Sequence, residues 1–407
     1  MNRRVAILSG AIFALIAGRS GRVGLTAQPS PHAQANAAPA QQPVAYARFA
    51  FGGNAAQIPA EFIGNLILVP AHVRQSQPLL FELDSTAAVS SIDPGRASEL
   101  GIADLRAPVL NFSGVDISLS GIAKIARKDF SAQVGRPYEG TIGNDILEGV
   151  VVELDYVRQG VRLYDPAPYQ YSGKGKILPL TFVGGMPVVK ARVTIGGRKA
   201  PDADFIVNTA LDAPVVISDK FAQAHHLISS HTRTIPATGL QLGGSDRAVF
   251  ARLEEFQIGP YRVEEPLAAF SQGSLPDAGD LRIAGEIGGG MLRRFDVVFD
   301  YARRQMILDP SSDFRADDLE NMSGLSIVAK GPGLKQFEIA EVRPGSPGAD
   351  AGIRKGDVIA GVDEEAAADL SLVSIRDLFR QVGHKYKLLI ERDGRTLPIT
   401  VQMRRQL

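Results

Sequence analysis

The chain has 407 residues, with 44 basic and 44 acidic side chains and no cysteine. That length divides into two to four domains of about 100–200 residues each. The charge balance leaves no basic excess to drive binding to nucleic acid or an anionic membrane, and the absence of cysteine excludes disulfides, thiol nucleophiles, cysteine-ligated zinc and a lipid-modified cysteine anchor.

The six histidines are scattered and show no metal-ligand spacing, so neither a metal nor a cofactor is expected. The basic pairs Arg293-Arg294 and Arg303-Arg304 lie beside acids and apolar strands and read as solvated surface. The 42 glycines and 25 prolines imply many turns and a mainly β chain.

At the start, Arg3-Arg4 precede an apolar run, Val5 to Ala17. A basic start followed by so short a run fits a secretory signal peptide; a membrane span needs about 20 residues. Cleavage near Thr26-Ala27 and cleavage near Ala33-Gln34-Ala35 both remain open, as does an uncleaved N-terminal anchor. Residues 26–44 are rich in Ala, Gln and Pro and cannot bury enough apolar area to order themselves. Residues 1–44 therefore read as signal and linker. The protein is expected to be exported, to the periplasm, the cell envelope or the medium, with no membrane span in the mature protein.

The body of the chain repeats itself. Gly140-Thr-Ile-Gly-Asn-Asp-Ile-Leu147 leads into an apolar strand ending Asp155-Tyr156 and a second ending Asp165-Pro166. Gly285-Glu-Ile-Gly-Gly-Gly-Met-Leu292 leads into one ending Asp300-Tyr301 and another ending Asp309-Pro310. Upstream of each lies a matching block. The first is Leu79-Leu-Phe-Glu-Leu-Asp-Ser-Thr-Ala-Ala88, and the second is Asp204-Phe-Ile-Val-Asn-Thr-Ala-Leu211. Each block reads as strand, polar turn, strand, then a short helix (around Pro94–Leu100 and Asp219–His226). Each copy is otherwise all β, and two such copies pack about a pseudo-two-fold axis with a cleft between them.

A strand, an Asp-Ser/Thr-Gly turn, a second strand and a later apolar-apolar-Gly segment resemble the retropepsin- and pepsin-like aspartic peptidases. The resemblance spans about residues 60–315 and implies two β-barrel lobes, at 45–173 and 174–316. It implies a pair of carboxylates sharing one proton across the lobe axis around an attacking water. Carried over, Asp84 takes the first catalytic position and Asn208 the second. Ser85 and Thr209 keep the hydroxyl position, and Thr86 and Ala210 stand where the family has glycine. Ile142-Gly143 and Ile287-Gly288 match the segments threading beside each loop. Asn208 can hydrogen-bond across the axis but cannot carry the shared proton, so the resemblance points to an impaired peptidase. The segments Asn111–Ser120 and Ala237–Arg247 suit flap-like hairpins over the cleft, and suit plain surface hairpins equally.

Residues 322–407 resemble a bacterial PDZ domain through the stretch Val342-Arg-Pro-Gly-Ser-Pro-Gly-Ala-Asp-Ala-Gly-Ile-Arg-Lys-Gly-Asp-Val-Ile359. Strands are expected at Gly324–Ile327, Phe337–Val342, Gly356–Ile359, Tyr386–Glu391 and Leu397–Met403. Helices are expected at Ala349–Ile353 and Ser374–Val382. The resemblance implies a β-sandwich that binds an extended peptide by strand addition, its terminal carboxylate held by the backbone of Gly324, Leu325, Ser326 and Ile327.

The sequence thus reads as a peptide- or protein-binding module on a degenerate aspartic-peptidase scaffold. An active aspartic-type endopeptidase with Asp84 essential is the main alternative, and a purely structural envelope protein is the third.

Overall fold

The structure, a computed structural model, describes residues 46–73, 75–101, 108–237, 248–272 and 283–407. The expected signal and linker, and nearly all of the second flap candidate, lie outside these residues. The chain is mainly β and forms two lobes about a pseudo-two-fold axis, followed by a C-terminal domain with a sheet of its own.

The axis is visible in a six-stranded sheet that takes three strands from each copy. Its order is Lys176–Pro179, Gln305–Pro310, Phe295–Asp300, Val151–Asp155, Gly160–Tyr164, Ala55–Ile58. In the repeat, Val151 corresponds to Asp296 and Asp155 to Asp300. The central antiparallel pair sets Val151 against Asp300 and Asp155 against Asp296, as a two-fold through Glu153 and Val298 requires. One face of this sheet sends Val152, Leu154, Val297 and Phe299 into a core shared by both lobes. The other face buries Val151, Val298 and Ile307 beneath Tyr164, Tyr169 and Tyr171.

The repeated Asp-Tyr pairs have a structural use. Asp155 accepts hydrogen bonds from the backbone N–H of Arg158 (2.8 Å) and from its guanidinium (3.1 Å). Asp300 does the same with Arg303, at 3.0 and 2.9 Å. Each aspartate therefore clamps the turn that follows its strand.

Each lobe adds its own curled sheet, of nine strands in the first and eleven in the second. The predicted short helices occur at Pro94–Glu99 and Asp219–Ala224, capped by Asp93 and Ser218. Among the described residues of the lobes, three further α-helices occur that the sequence reading does not place: Lys128–Val134, Asn144–Leu147 and Gly289–Leu292. They span at most two turns, too short for a clear apolar period in the sequence.

The first flap candidate falls on a β-hairpin of the first lobe's sheet. Its strands Val109–Phe112 and Val115–Ser118 bury Leu110, Phe112, Val115 and Ile117, and the turn carbonyl of Gly114 accepts from Ala50 N (2.8 Å).

Arg294 departs from its reading as solvated surface. It is 2% exposed, and its guanidinium donates to Asp318 (2.8 Å) and to the Phe314 carbonyl (3.0 Å). Arg252 donates to Glu320 and to the Asp318 carbonyl, both at 3.1 Å, and Glu320 accepts from Gln406 N (2.9 Å). These ion pairs fasten the linker between lobe two and the C-terminal domain to both.

That domain has its own core, including Phe337, Ile339, Ile375, Phe379 and Leu388. Its strands run Leu325–Lys330, Gln336–Val342, Val358–Val362, Lys385–Arg392 and Arg395–Gln402. Its helices start earlier than expected. Ser346 caps Pro347–Asp350, and a Ser371/Ser374 capping box starts Leu372–Leu378.

The central strand pair carries one unfavourable feature. Asp296 lies opposite Asp155, and its carboxyl is held above its ordinary value by burial and then by the Asp155 charge. A carboxyl raised by folding contributes stability below its unfolded value of about 4 and loses it as pH rises through the folded value. Asp296→Asn is therefore expected to raise the thermal midpoint at pH 7 and leave it unchanged near pH 3. An unchanged midpoint at both pH values would show that this pair is not under strain.

Candidate functional site

Asp84 and Asn208 follow corresponding strands, Leu79–Leu83 and Ala203–Val207. In each copy the glycine block threads between the two arms of the loop that carries the site residue. Gly140–Ile142 runs parallel to the first arm, with Leu83 beside Ile142, and antiparallel to Ser91–Ile92. Ile283–Ile287 likewise lies between Ala203–Val207 and Val215–Ile217. The loops are pinned by backbone bonds from Asp84 N to Ile142 O (3.0 Å) and from Asn208 N to Ile287 O (2.8 Å). A Cβ on Gly143 would come 2.7 Å from Ala87 O, and one on Gly288 would come 2.2 Å from Ala213 O. Both glycines are therefore required by close backbone approach.

The two loops grip each other crosswise. Ser85 N donates to Thr209 Oγ1 (3.0 Å), and Thr209 N donates to Ser85 Oγ (3.1 Å). Each hydroxyl then donates onward to the opposite strand, Ser85 Oγ to Val207 O (2.7 Å) and Thr209 Oγ1 to Leu83 O (2.6 Å). All four residues that follow from this pairing are buried: Asp84 and Ser85 fully, Asn208 and Thr209 nearly so. The structure thus brings Asp84, Ser85, Asn208 and Thr209 together at the lobe junction.

The two acid positions differ in what surrounds them. Asp84 Oδ1 accepts from Thr86 N (2.8 Å) and Thr86 Oγ1 (2.6 Å). Thr86 thus turns its hydroxyl back onto the carboxylate. Asn208 Oδ1 accepts from Ala210 N (3.0 Å), the matching backbone bond. That donor fixes the amide orientation, so Nδ2 points the other way and donates to Oε2 of buried Glu286 (2.8 Å). An aspartate at 208 would aim a second acceptor at Glu286. Two carboxylates about 3 Å apart cannot both ionise.

Glu286 was not singled out from the sequence. The signal was an acidic residue inside the apolar run Ile283-Ala-Gly-Glu-Ile287, where the first copy has Thr141. Glu82 is a second buried acid, two residues before Asp84, and accepts from Tyr138 Oη (3.2 Å). The Tyr138 phenol is held well above its ordinary value by burial and by the Glu82 charge. Burial, then the Asp84 charge, does the same to Tyr301.

The residues expected to hold a peptide carboxylate, Gly324 to Ile327, form a loop and strand of the C-terminal domain. Gly324 takes φ +72°, and a Cβ there would strike Ser346 Cβ at 2.1 Å. Gly324 N donates to Asn321 Oδ1 (3.2 Å) and Leu325 N to Ser323 Oγ (3.1 Å). Two of the expected carboxylate donors are therefore engaged within the loop. Ser326 pairs with Glu341 and Ile327 with Ile339 across a bulge.

The crosswise grip makes a testable demand. Thr209→Val removes the acceptor for Ser85 N and the donor to Leu83 O while preserving shape. Leaving two buried polar groups unsatisfied costs about 2–5 kcal/mol, readable as a lower denaturant midpoint. A loss below about 0.5 kcal/mol, within the range of neutral surface changes, would mean the loops are held by other contacts.

Comparison with protein families matches residues 338–392 to the PDZ domain. Comparison with curated proteins finds no match. Among solved structures, the chain is similar to an aspartic proteinase from Irpex lacteus at 14% identity, covering 64% of this chain and 99% of that one, with a TM-score of 0.40. It is also similar to a retropepsin-like aspartic protease from Rickettsia conorii at 16% identity, covering 34% of this chain and 94% of that one, with a TM-score of 0.24. The family match thus places a PDZ domain at residues 338–392, while the threaded loops and the crosswise grip are features of the two lobes themselves.

Proposed function

We propose that this protein is a catalytically impaired relative of the aspartic peptidases that works in the cell envelope as a peptide- or protein-binding module. The observation that carries the reading is the hydrogen bond from Asn208 to buried Glu286. Peptide hydrolysis by a carboxylate pair needs one group to take the water's proton while the other protonates or polarises the carbonyl. Asn208 offers an amide that neither accepts nor releases a proton at working pH. Glu286, a carboxylate, faces the amide and makes an aspartate unfavourable there. Asn208 is thus part of a matched pair rather than a single lost group.

The grip that aligns the two loops is intact, so the architecture persists without the shared proton. A scaffold of this kind keeps the means to hold an extended chain. The PDZ domain, a class that captures peptides at a sheet edge, supplies a second place to do so. The leader, Arg3-Arg4 and the apolar run to Ala17, supports export.

Residues 41–407, incubated with a peptide library from pH 3 to 7 beside an Asp84→Ala variant, test the reading. Neither protein is expected to cleave any peptide. Cleavage by the parent that Asp84→Ala abolishes would instead establish an aspartic-type endopeptidase with Asp84 as its essential carboxylate.

A further inference from the structure

The sheet order places Leu325–Lys330 at the edge of the PDZ sheet. Helix Leu372–Leu378 packs against this strand, and the two would bracket a peptide added at the edge. Helix Lys128–Val134 of the first lobe also lies along the strand. Arg376, on the PDZ helix, joins all three elements: its Nη2 donates to Ile327 O on the edge strand (3.1 Å) and to Gln133 O at the end of the lobe helix (2.7 Å). Burial pulls the Arg376 guanidinium below its ordinary value, against the opposing pull of Asp212.

The lobe helix ends at Gly135, with φ +77°. A Cβ at this position would come 2.5 Å from Leu372 Cβ, at the start of the PDZ helix. At the far end of that helix, Arg380 lies 3.9 Å from Asp212. Asp212 is four residues beyond Asn208 and also accepts from Asn65 of the first lobe (2.9 Å). The PDZ helix therefore touches the first lobe at one end and the Asn208 loop of the second at the other. The hydrophobic cores of lobes and PDZ domain stay separate, which suits docking that can be reversed.

We propose that the lobe helix Lys128–Val134 with its Gly135 cap is an internal occupant of the PDZ groove, so that a peptide entering at Leu325–Lys330 must displace the PDZ domain from the lobes. This rests on the reading of the PDZ domain as a peptide-binding module. The partner that fits is an extended segment that pairs with the strand edge and offers Arg376 an acceptor in place of the Gln133 carbonyl. Covalent tethering gives the internal occupant a high effective concentration, of the order of millimolar, so it competes well against a dilute peptide.

The test uses the full chain and two glycine variants. Asn tolerates positive φ, so Gly135→Asn keeps the helix cap but drives a side chain into Leu372. Gly352→Asn makes the same change at φ +79° with nothing within 4 Å, and serves as control. Two readouts are taken: hydrogen exchange at the amides of 325–330 without ligand, and binding of a pool of nine-residue peptides with free C-terminal carboxylates.

Gly135→Asn is expected to speed exchange across 325–330 and to tighten peptide binding, each by about tenfold or more, with the control unchanged. Arg380→Glu, which sets a carboxylate against Asp212 without touching the lobe helix, is expected to act in the same direction. Unchanged exchange at 325–330 in both variants would overturn the proposal, as would equal peptide affinity in parent and variants. Faster exchange with no peptide bound by any protein would support the internal occupant and refute the peptide-binding reading.

Discussion

The crosswise bonding of Ser85 and Thr209 is the constraint on which the rest of the junction depends. Each hydroxyl accepts from the opposite loop's backbone and donates to the opposite strand. Four buried groups are satisfied at once, in a place where water cannot substitute for them. The arrangement works only if the two loops meet across the axis, and the axis is set by the central pairing of Val151–Asp155 with Phe295–Asp300. The glycine blocks follow from the same geometry, because a strand threaded between the arms of a loop brings backbone against backbone.

Within this frame the chemistry of the two positions has diverged. Asp84 gains an extra donor, the Thr86 hydroxyl, whereas Asn208 spends its one available polar direction on Glu286. The backbone bonds from Thr86 and Ala210 keep the two side chains in equivalent poses. The fold keeps its two-fold symmetry while the side chains at the two positions do not.

The duplication made most of this legible in the sequence. A lone Asp84-Ser85 is an ordinary turn, but the same strand–turn–strand recurring at Asn208-Thr209, each followed by a glycine block, fixes both loops and their partners. The residues that escaped notice are those whose meaning depends on distant neighbours. Glu286 sits at a variable position of the block and matters only because Asn208 faces it. Arg294 reads as surface until Asp318, on the linker, comes back to neutralise it. The helix Lys128–Val134 is too short to announce itself by period, and its contact with Arg376 joins residues 243 apart in the chain. In the C-terminal domain the Ser346 and Ser371 caps start the two helices two residues before the starts expected from the sequence.

The measurement that bears most directly on the matched pair is the stability of Asn208→Asp as a function of pH. An aspartate there meets Glu286 with acceptor against acceptor, so one of the two must keep a proton in the folded state and its pKa rises above the unfolded value of about 4. Stability contributed by that proton is present below the unfolded value and lost as pH rises through the folded one. Asn208→Asp is expected to be less stable than the parent at pH 7, with a deficit that shrinks toward pH 4 and that Glu286→Gln in the same chain removes. Equal stability of Asn208→Asp and the parent at pH 7 would contradict the account, because the site would then accept the carboxylate pair that peptide hydrolysis requires.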